Sequence, residues 1–170
     1  EREFYLRATA RFGWTKGVLQ HQLDNHSYRQ YLLGQTNFDA AVPDSIKAQA
    51  LLAVKDHYTF DFLGLAEQHS ERELEQSLVT NLRGFLAEMG GAFTFVGNQF
   101  KLESDGREYF IDLLLFHRRL RCLVAIELKI GEFKPEHKGQ IEFYLDQLDQ
   151  HHRVDGENPP IGIVICRSKT

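Results

Sequence analysis

Three apolar runs of strand length, with one helix between the second and the third, restrict the fold more than any other feature of this sequence. The runs are Tyr109 to His117, Arg121 to Ile130 and Ile161 to Cys166. The helix begins at Pro135 and has apolar residues at helical spacing, namely Ile141, Tyr144, Leu145 and Leu148. A strand–helix–strand unit makes its two strands parallel, whereas a short turn makes neighbouring strands antiparallel. The sequence therefore predicts a mixed sheet.

The residues before these runs predict one more helix and one more strand. Ser70-Glu-Arg-Glu73 is a capping box, followed by apolar residues at helical spacing up to Met89. Gly90-Gly91 closes this helix. A strand from Ala92 to Leu102 and a turn at Asp105-Gly106 come next. The complete order is α-β-β-β-α-β, which is an α/β (mixed α+β) fold class.

The first 65 residues predict an all-helical segment. Gly13 ends a first helix, Thr15 can cap a second, and further helical segments run from Tyr28 to Leu33 and from Pro43 onward. We place the domain boundary between 1–65 and 66–170. The chain begins without Met inside a helical pattern and stops just after a strand, which predicts a fragment of a longer protein.

Charge, hydropathy and cysteine content exclude several classes of protein. With 20 Lys+Arg against 24 Asp+Glu the chain is not uniformly basic, although a local basic groove can still bind nucleic acid. A hydrophobic fraction of 42% is too high for a disordered chain. No apolar run approaches the roughly 18–20 residues of a membrane span, so no membrane partner is predicted. Cys122 and Cys166 lie in apolar runs, as buried thiols in a reducing cytoplasm do.

Three ionisable residues interrupt the apolar strands. Asp112 lies in the middle of one strand, and Glu127 and Lys129 end the next on a shared face, because strand side chains alternate. An unpaired carboxylate among apolar residues costs several kcal/mol, so Asp112 needs a partner. Lys129 can pair with Asp112 or Glu127 in a plain salt bridge that only holds the sheet together, or a divalent cation can offset two acids against one lysine. The residues alone leave both alternatives open.

Three further residues can complete a site. Glu75 lies at the edge of its helix's apolar face and can look onto the sheet, or it can be an exposed acid that favours the helix dipole. Gln140 and Tyr144 are four residues apart and share a helix face. Their alternative is a boundary glutamine beside a core tyrosine.

These residues resemble the signature of the PD-(D/E)XK nuclease superfamily. Fourteen residues separate Ile111-Asp112 from Glu127-Leu-Lys129, without the usual proline before the aspartate. Glu75 and Gln140-x-x-x-Tyr144 match the accessory positions. From Phe60 onward the chain is more closely similar to the YhcG-type branch, in the strings Phe95-Val-Gly97, Phe110-Ile-Asp-Leu-Leu, Leu123-Val-Ala-Ile-Glu-Leu-Lys-Ile-Gly-Glu-Phe-Lys-Pro and Ile161-Gly-Ile-Val-Ile-Cys.

The resemblance implies a restriction-endonuclease-like core in 66–170, truncated at its carboxyl end, after the tail of a helical domain related to winged-helix DNA binders. It implies an endonuclease that cleaves duplex or branched DNA with Mg²⁺, for which Mn²⁺ can substitute. The metal ligands would be Glu75, Asp112, Glu127 and the carbonyl of Leu128. Lys129 would orient the attacking water, and Gln140 and Tyr144 would position the substrate backbone or support the site.

Basic residues cluster at two places along the chain. Arg118, Arg119 and Arg121 lie at the turn between the two acidic strands, and Lys134 and Lys138 follow the site. They can contact phosphates, or they can be ordinary solvated charges. Besides the endonuclease, two other functions remain: a catalytically degenerate nucleic-acid-binding or complex-forming module, and an assembly role in which the helical segment forms a homodimer.

Overall fold

The computed structural model describes residues 1–24, 42–45, 47, 50, 53, 58, 63–65 and 68–166. The chain divides into two units, Glu1–Tyr58 and Thr59–Thr170. The division into domains 1–65 and 66–170, made from the sequence, stays a prediction.

The amino-terminal unit contains helices α1 (Arg2–Phe12) and α2 (Lys16–Asp24). Gly13 ends α1 in the left-handed conformation, with φ 63°, and its N–H donates to the carbonyl of Thr9. The hydroxyl of Thr15 accepts from the backbone N–H of Val18 at 3.3 Å. The predicted end of the first helix at Gly13 and the predicted cap of the second at Thr15 are therefore confirmed. The predicted helix from Tyr28 to Leu33 and most of the helix after Pro43 lie outside the described residues.

The second unit is built on four strands, β1 (Phe93–Ser104), β2 (Arg107–His117), β3 (Cys122–Lys129) and β4 (Ile161–Cys166), in the order β1-β2-β3-β4. The first three are antiparallel and β4 is parallel to β3. This confirms the predicted mixed sheet and the restriction-endonuclease-like order of elements. Asp105 and Gly106 both have positive φ, as the twist of a two-residue hairpin requires.

In the described part of this unit, three helices accompany the sheet: α3 (Glu71–Thr80), α4 (Leu82–Met89) and α5 (Pro135–His151). The predicted capping box is present, with Ser70 Oγ accepting from Glu73 N at 3.1 Å and Glu73 Oε2 accepting from Ser70 N at 2.6 Å. One continuous helix up to Met89 was predicted, and this was wrong. The backbone N–H and the side-chain amide of Asn81 both donate to the carbonyl of Ser77, each at 2.9 Å, and the ψ of 42° at Asn81 interrupts the helix there.

Helix α5 covers one face of the sheet. Its buried residues pack against the strand residues Leu102, Ile111, Leu114, Leu123 and Ala125. Val124, Ile126 and Leu128, which alternate with this set along β3, are also buried, and α3 and α4 contact β3 and β1. Strand β3 is therefore enclosed on both faces, so a charged residue in it is taken out of water. None of the helices in the described ranges is long and apolar enough to cross a bilayer.

A β-bulge in β1 sets which of its residues faces the acidic strand. Phe95 pairs with Leu115 but Gly97 pairs with Leu114, so Val96 is the extra residue. The bulge shifts the register by one residue. As a result Gln99 lies opposite Asp112, between the pairs Asn98–Leu113 and Phe100–Ile111.

The buried His117 makes the stability of this unit pH-dependent. The side chain is 4% exposed, and its Nδ1 accepts from the N–H of Leu120 at 3.1 Å. Burial, with a smaller contribution from the charge of Arg119, lowers the pKa of His117 to about 4. Since the unfolded chain binds this proton at about pH 6.5, the stabilising contribution is complete above pH 6.5 and is lost as the pH falls toward 4. We expect a loss of up to about 3 kcal/mol in the free energy of unfolding.

Urea denaturation between pH 4 and 7 measures this effect. His117→Gln should flatten the pH profile, whereas the exposed His151→Gln should leave it unchanged. Equal slopes for the wild-type protein and His117→Gln would contradict the prediction.

Candidate active site

Strands β2 and β3 separate where the acidic residues begin. Their ladder runs from His117–Cys122 to Leu113–Ile126 and does not continue to Asp112 and Glu127. Instead, Leu128 N donates to Asp112 Oδ2 at 2.8 Å, and Asp112 N donates to Glu127 Oε1 at 3.2 Å. Each carboxylate thus binds a backbone amide of the opposite strand. These bonds satisfy amides that the diverging strands leave unpaired.

Glu127 and Lys129 extend from the same face of β3. Glu127 is only 2% exposed, and Lys129 Nζ lies 3.9 Å from its Oε2. This distance is at the limit of an ion pair, so the ammonium is near the acids without a tight hydrogen bond to Glu127. The plain salt bridge considered from the sequence is therefore loose here.

Burial and the charges of neighbouring acids disfavour the charged forms of the two central carboxylates. Burial first, and then the charge of Asp112, raise the pKa of Glu127. Burial also raises the pKa of Asp112, although the N–H of Leu128 opposes this rise. One nearby ammonium does not offset the charges of one buried and one half-buried carboxylate. The pair consequently favours an additional positive charge.

Glu75 reaches this pair through an intermediate residue. It is 4% exposed, and its two carboxylate oxygens accept from Asn98 Nδ2, at 3.0 Å, and from Gln99 Nε2. The same nitrogen of Gln99 donates to Asp112 Oδ1 at 3.3 Å. Glu75 and Asp112 therefore lie within reach of one atom.

Sequence reasoning missed Asn98 and Gln99. Their only signal is a pair of consecutive amides within a strand rich in Phe and Val. Strand alternation would have sent the two side chains to opposite faces, so the pattern gave no reason to bring them to one acid.

Gln140 and Tyr144 meet as expected on α5. Gln140 Nε2 donates to Tyr144 Oη at 2.9 Å, and Tyr144 is 4% exposed. Burial raises the pKa of Tyr144, and the charges of Glu127 and Asp112 raise it further. The phenol of Tyr144 therefore lies within electrostatic range of both acids.

The predicted basic residues fall into two separate places. Lys134 and Lys138 lie just before and within the first turn of α5, after β3. Arg118, Arg119 and Arg121 lie at the turn of the β2–β3 hairpin, five residue pairs from the acids, or roughly 17 Å at about 3.4 Å per residue. The structure does not bring the arginines to the acids.

The donor set fits a hard divalent cation. Within the part of the chain that the structure describes, no three His, Cys, Asp or Glu side chains form a group that could hold a metal ion. The acids form a pair, with Gln99 between Glu75 and Asp112. However, Mg²⁺ commonly binds through only one or two carboxylates, several waters and substrate phosphates. Asp112 and Glu127 supply these oxygens and a local excess of negative charge.

Comparisons with known proteins show the family to which the chain belongs. The family model described as the YhcG PDDEXK nuclease domain matches residues 51–170. The protein "Putative nuclease YhcG" of Escherichia coli (strain K12) is 37% identical over 172 aligned residues, which cover 99% of this chain and 46% of that protein. The chain thus spans about half the length of this relative. No solved structure matches. On the family model and the near-complete alignment, the chain belongs to the YhcG PDDEXK nuclease domain family.

Proposed function

We propose that the protein is a metal-dependent endonuclease that hydrolyses phosphodiester bonds in DNA, either duplex or branched. The observation that carries this proposal is the meeting of Asp112, Glu127 and Lys129 where strands β2 and β3 separate. Two acids and one ammonium at a buried strand end have the charges that phosphodiester cleavage requires. Membership of a nuclease family supports the same chemistry.

Asp112 and Glu127 would hold the cation, together with the carbonyl of Leu128. Glu75 would add a ligand directly or through a water. When bound, Mg²⁺, or Mn²⁺ in its place, would supply a Lewis acid and lower the pKa of a bound water.

Lys129 would orient the attacking water and stabilise negative charge on the phosphate oxygens. Its side chain is 17% exposed, and its contact with Glu127 is long, so the ammonium can still donate to a substrate. Gln140 and Tyr144 would position the substrate backbone beside the acids.

The basic residues would hold a longer stretch of nucleic acid. Lys134 and Lys138 would contact phosphates next to the site. The arginines at the hairpin turn would contact phosphates about five base pairs away, since duplex DNA rises about 3.4 Å per base pair. Binding should then weaken steeply with added salt.

A homodimer formed by the helical segment is also part of the proposal. Leu6, Val18 and Leu23 of α1 and α2 leave apolar surface exposed, which a second copy could cover. A cytoplasmic location is supported by Cys122 and Cys166, both free thiols.

Cleavage of plasmid, linear and branched DNA by the intact protein tests the proposed activity. We expect cleavage with Mg²⁺ or Mn²⁺ and none when EDTA removes the metal. The pattern across the three DNAs identifies the substrate structure. DNA binding without any cleavage, in either metal, would favour the degenerate binding module instead.

A further inference from the structure

The carboxylate of Glu75 is held by two neighbouring amides. Asn98 and Gln99 each donate to one of its oxygens, and the glutamate is almost completely buried. Adjacent side chains of a regular strand point in opposite directions, so two consecutive residues cannot ordinarily reach one carboxylate. Here they do so because Gln99 has φ 44°, which interrupts the alternation.

This backbone conformation is unfavourable for glutamine. Left-handed φ is rare for residues other than glycine, and strain of this kind persists only where the surrounding structure imposes it. What the conformation allows is specific. Gln99 Nε2 reaches Glu75 and, at 3.3 Å, also Asp112, which the upstream bulge at Val96 has placed opposite. Strain and bulge together direct one amide to two acids from different elements.

We propose that Asn98 and Gln99 form an amide clamp that positions Glu75 beside Asp112 for a divalent cation. This inference rests on the proposed function. Without these two donors, a carboxylate as buried as that of Glu75 would have no hydrogen-bond partner here and would turn away from the site. The clamp keeps the carboxylate oriented toward the site before any cation arrives. Asn98 and Gln99 are positioning residues, because they act through Glu75 and Asp112.

Thermal unfolding of the intact protein, titrated with MnCl₂, tests the clamp without relying on activity. A bound cation raises the melting temperature, and the midpoint of the titration reports its affinity. Asn98→Ala and Gln99→Ala should each move this midpoint to 10–100-fold higher Mn²⁺, which is the usual cost of losing a group that orients a metal ligand. Gln150→Ala, an exposed amide on α5, is the matched control and should not move it.

A second variant separates the amide from the backbone. Gln99→Gly removes the same amide but tolerates positive φ. In the absence of metal, Gln99→Gly should therefore melt at a higher temperature than Gln99→Ala. Both variants should show the same weakened Mn²⁺ midpoint. A wild-type midpoint in Gln99→Gly would show that backbone shape matters and the amide does not, which would overturn the inference.

The remaining outcomes are equally decisive. An unchanged midpoint in both alanine variants, with a responsive wild-type protein, would overturn the clamp and leave the proposed nuclease intact. Tighter Mn²⁺ binding by Gln99→Ala would mean that the amide competes with the cation, and would also overturn it. A wild-type protein that neither responds to metal nor cleaves DNA would overturn both proposals.

Discussion

Asp112→Asn, Glu127→Gln and Lys129→Ala should each reduce DNA cleavage by about a thousandfold or more. The first two changes remove a charge that would hold the cation, and the third removes the ammonium that would stabilise the phosphate. The amide variants keep an oxygen that can accept the N–H of Leu128 or Asp112, so the strand ends stay joined. Cleavage should therefore be lost while the fold is kept.

Stability distinguishes this result from misfolding. Burial raises the pKa of both acids, which means that their charged forms are destabilised in the metal-free protein. Asp112→Asn and Glu127→Gln should consequently melt at or above the wild-type temperature at pH 8 without metal. Rates of plasmid nicking and melting curves for each variant measure the two effects, with the exposed Asp146→Asn as control. Undiminished cleavage by all three variants would refute the proposed site.

Gly162→Ala should destabilise the nuclease unit strongly for so small a change. A Cβ at this position of β4 would lie 2.5 Å from Ile141 Cγ1 and 3.3 Å from Leu145 Cδ1. Ile141 cannot turn aside easily, because a β-branched side chain has essentially one rotamer in a helix. Helix α5 would have to move away from the sheet. We expect a cost of about 1–3 kcal/mol in the free energy of unfolding.

Gly139→Ala is the matched control for this change. A Cβ on Gly139 would meet nothing within 4 Å, and alanine is preferred to glycine inside a helix, so this variant should gain up to about 1 kcal/mol. Chemical denaturation of both variants gives the comparison. A Gly162→Ala variant as stable as the wild-type protein would contradict the prediction, because it would show that α5 and β4 can accommodate a Cβ at this position. Cleavage by Gly162→Ala should fall as well, since α5 carries Gln140 and Tyr144.

Local patterns were sufficient to predict the order and direction of the strands. The crossover helix after Pro135 required β3 and β4 to be parallel, and short turns required the others to be antiparallel. Alternation along β3 likewise placed Glu127 and Lys129 on one face. These predictions succeeded because each depends on geometry that a few adjacent residues decide.

Other features depend on contacts that periodicity does not encode. The break at Asn81 is a local change of backbone conformation, accompanied by a side-chain hydrogen bond to Ser77, within a segment whose apolar spacing continues without interruption. The positive φ of Gln99 accompanies contacts with two acids that are distant in the sequence. The separation of the arginines from the acids follows from the length of the β2–β3 ladder. The spacing of Asp112 and Arg118 along an extended strand implies this distance, but the prediction did not use it.

Where the strands separate, the two oxygens of each central carboxylate have different partners. Oδ2 of Asp112 and Oε1 of Glu127 accept from main-chain amides, so these atoms connect the ends of strands β2 and β3. Among the described residues, Oδ1 of Asp112 accepts only from the side chain of Gln99, at 3.3 Å, and Oε2 of Glu127 lies 3.9 Å from the ammonium of Lys129, so these oxygens face side chains and not the main chain. A cation would bind one oxygen of each carboxylate while the other oxygen stays hydrogen-bonded to the main chain. Cation binding should therefore restrict the motion of the two strand ends. Amide hydrogen exchange at Asp112 and Leu128 would register this tightening.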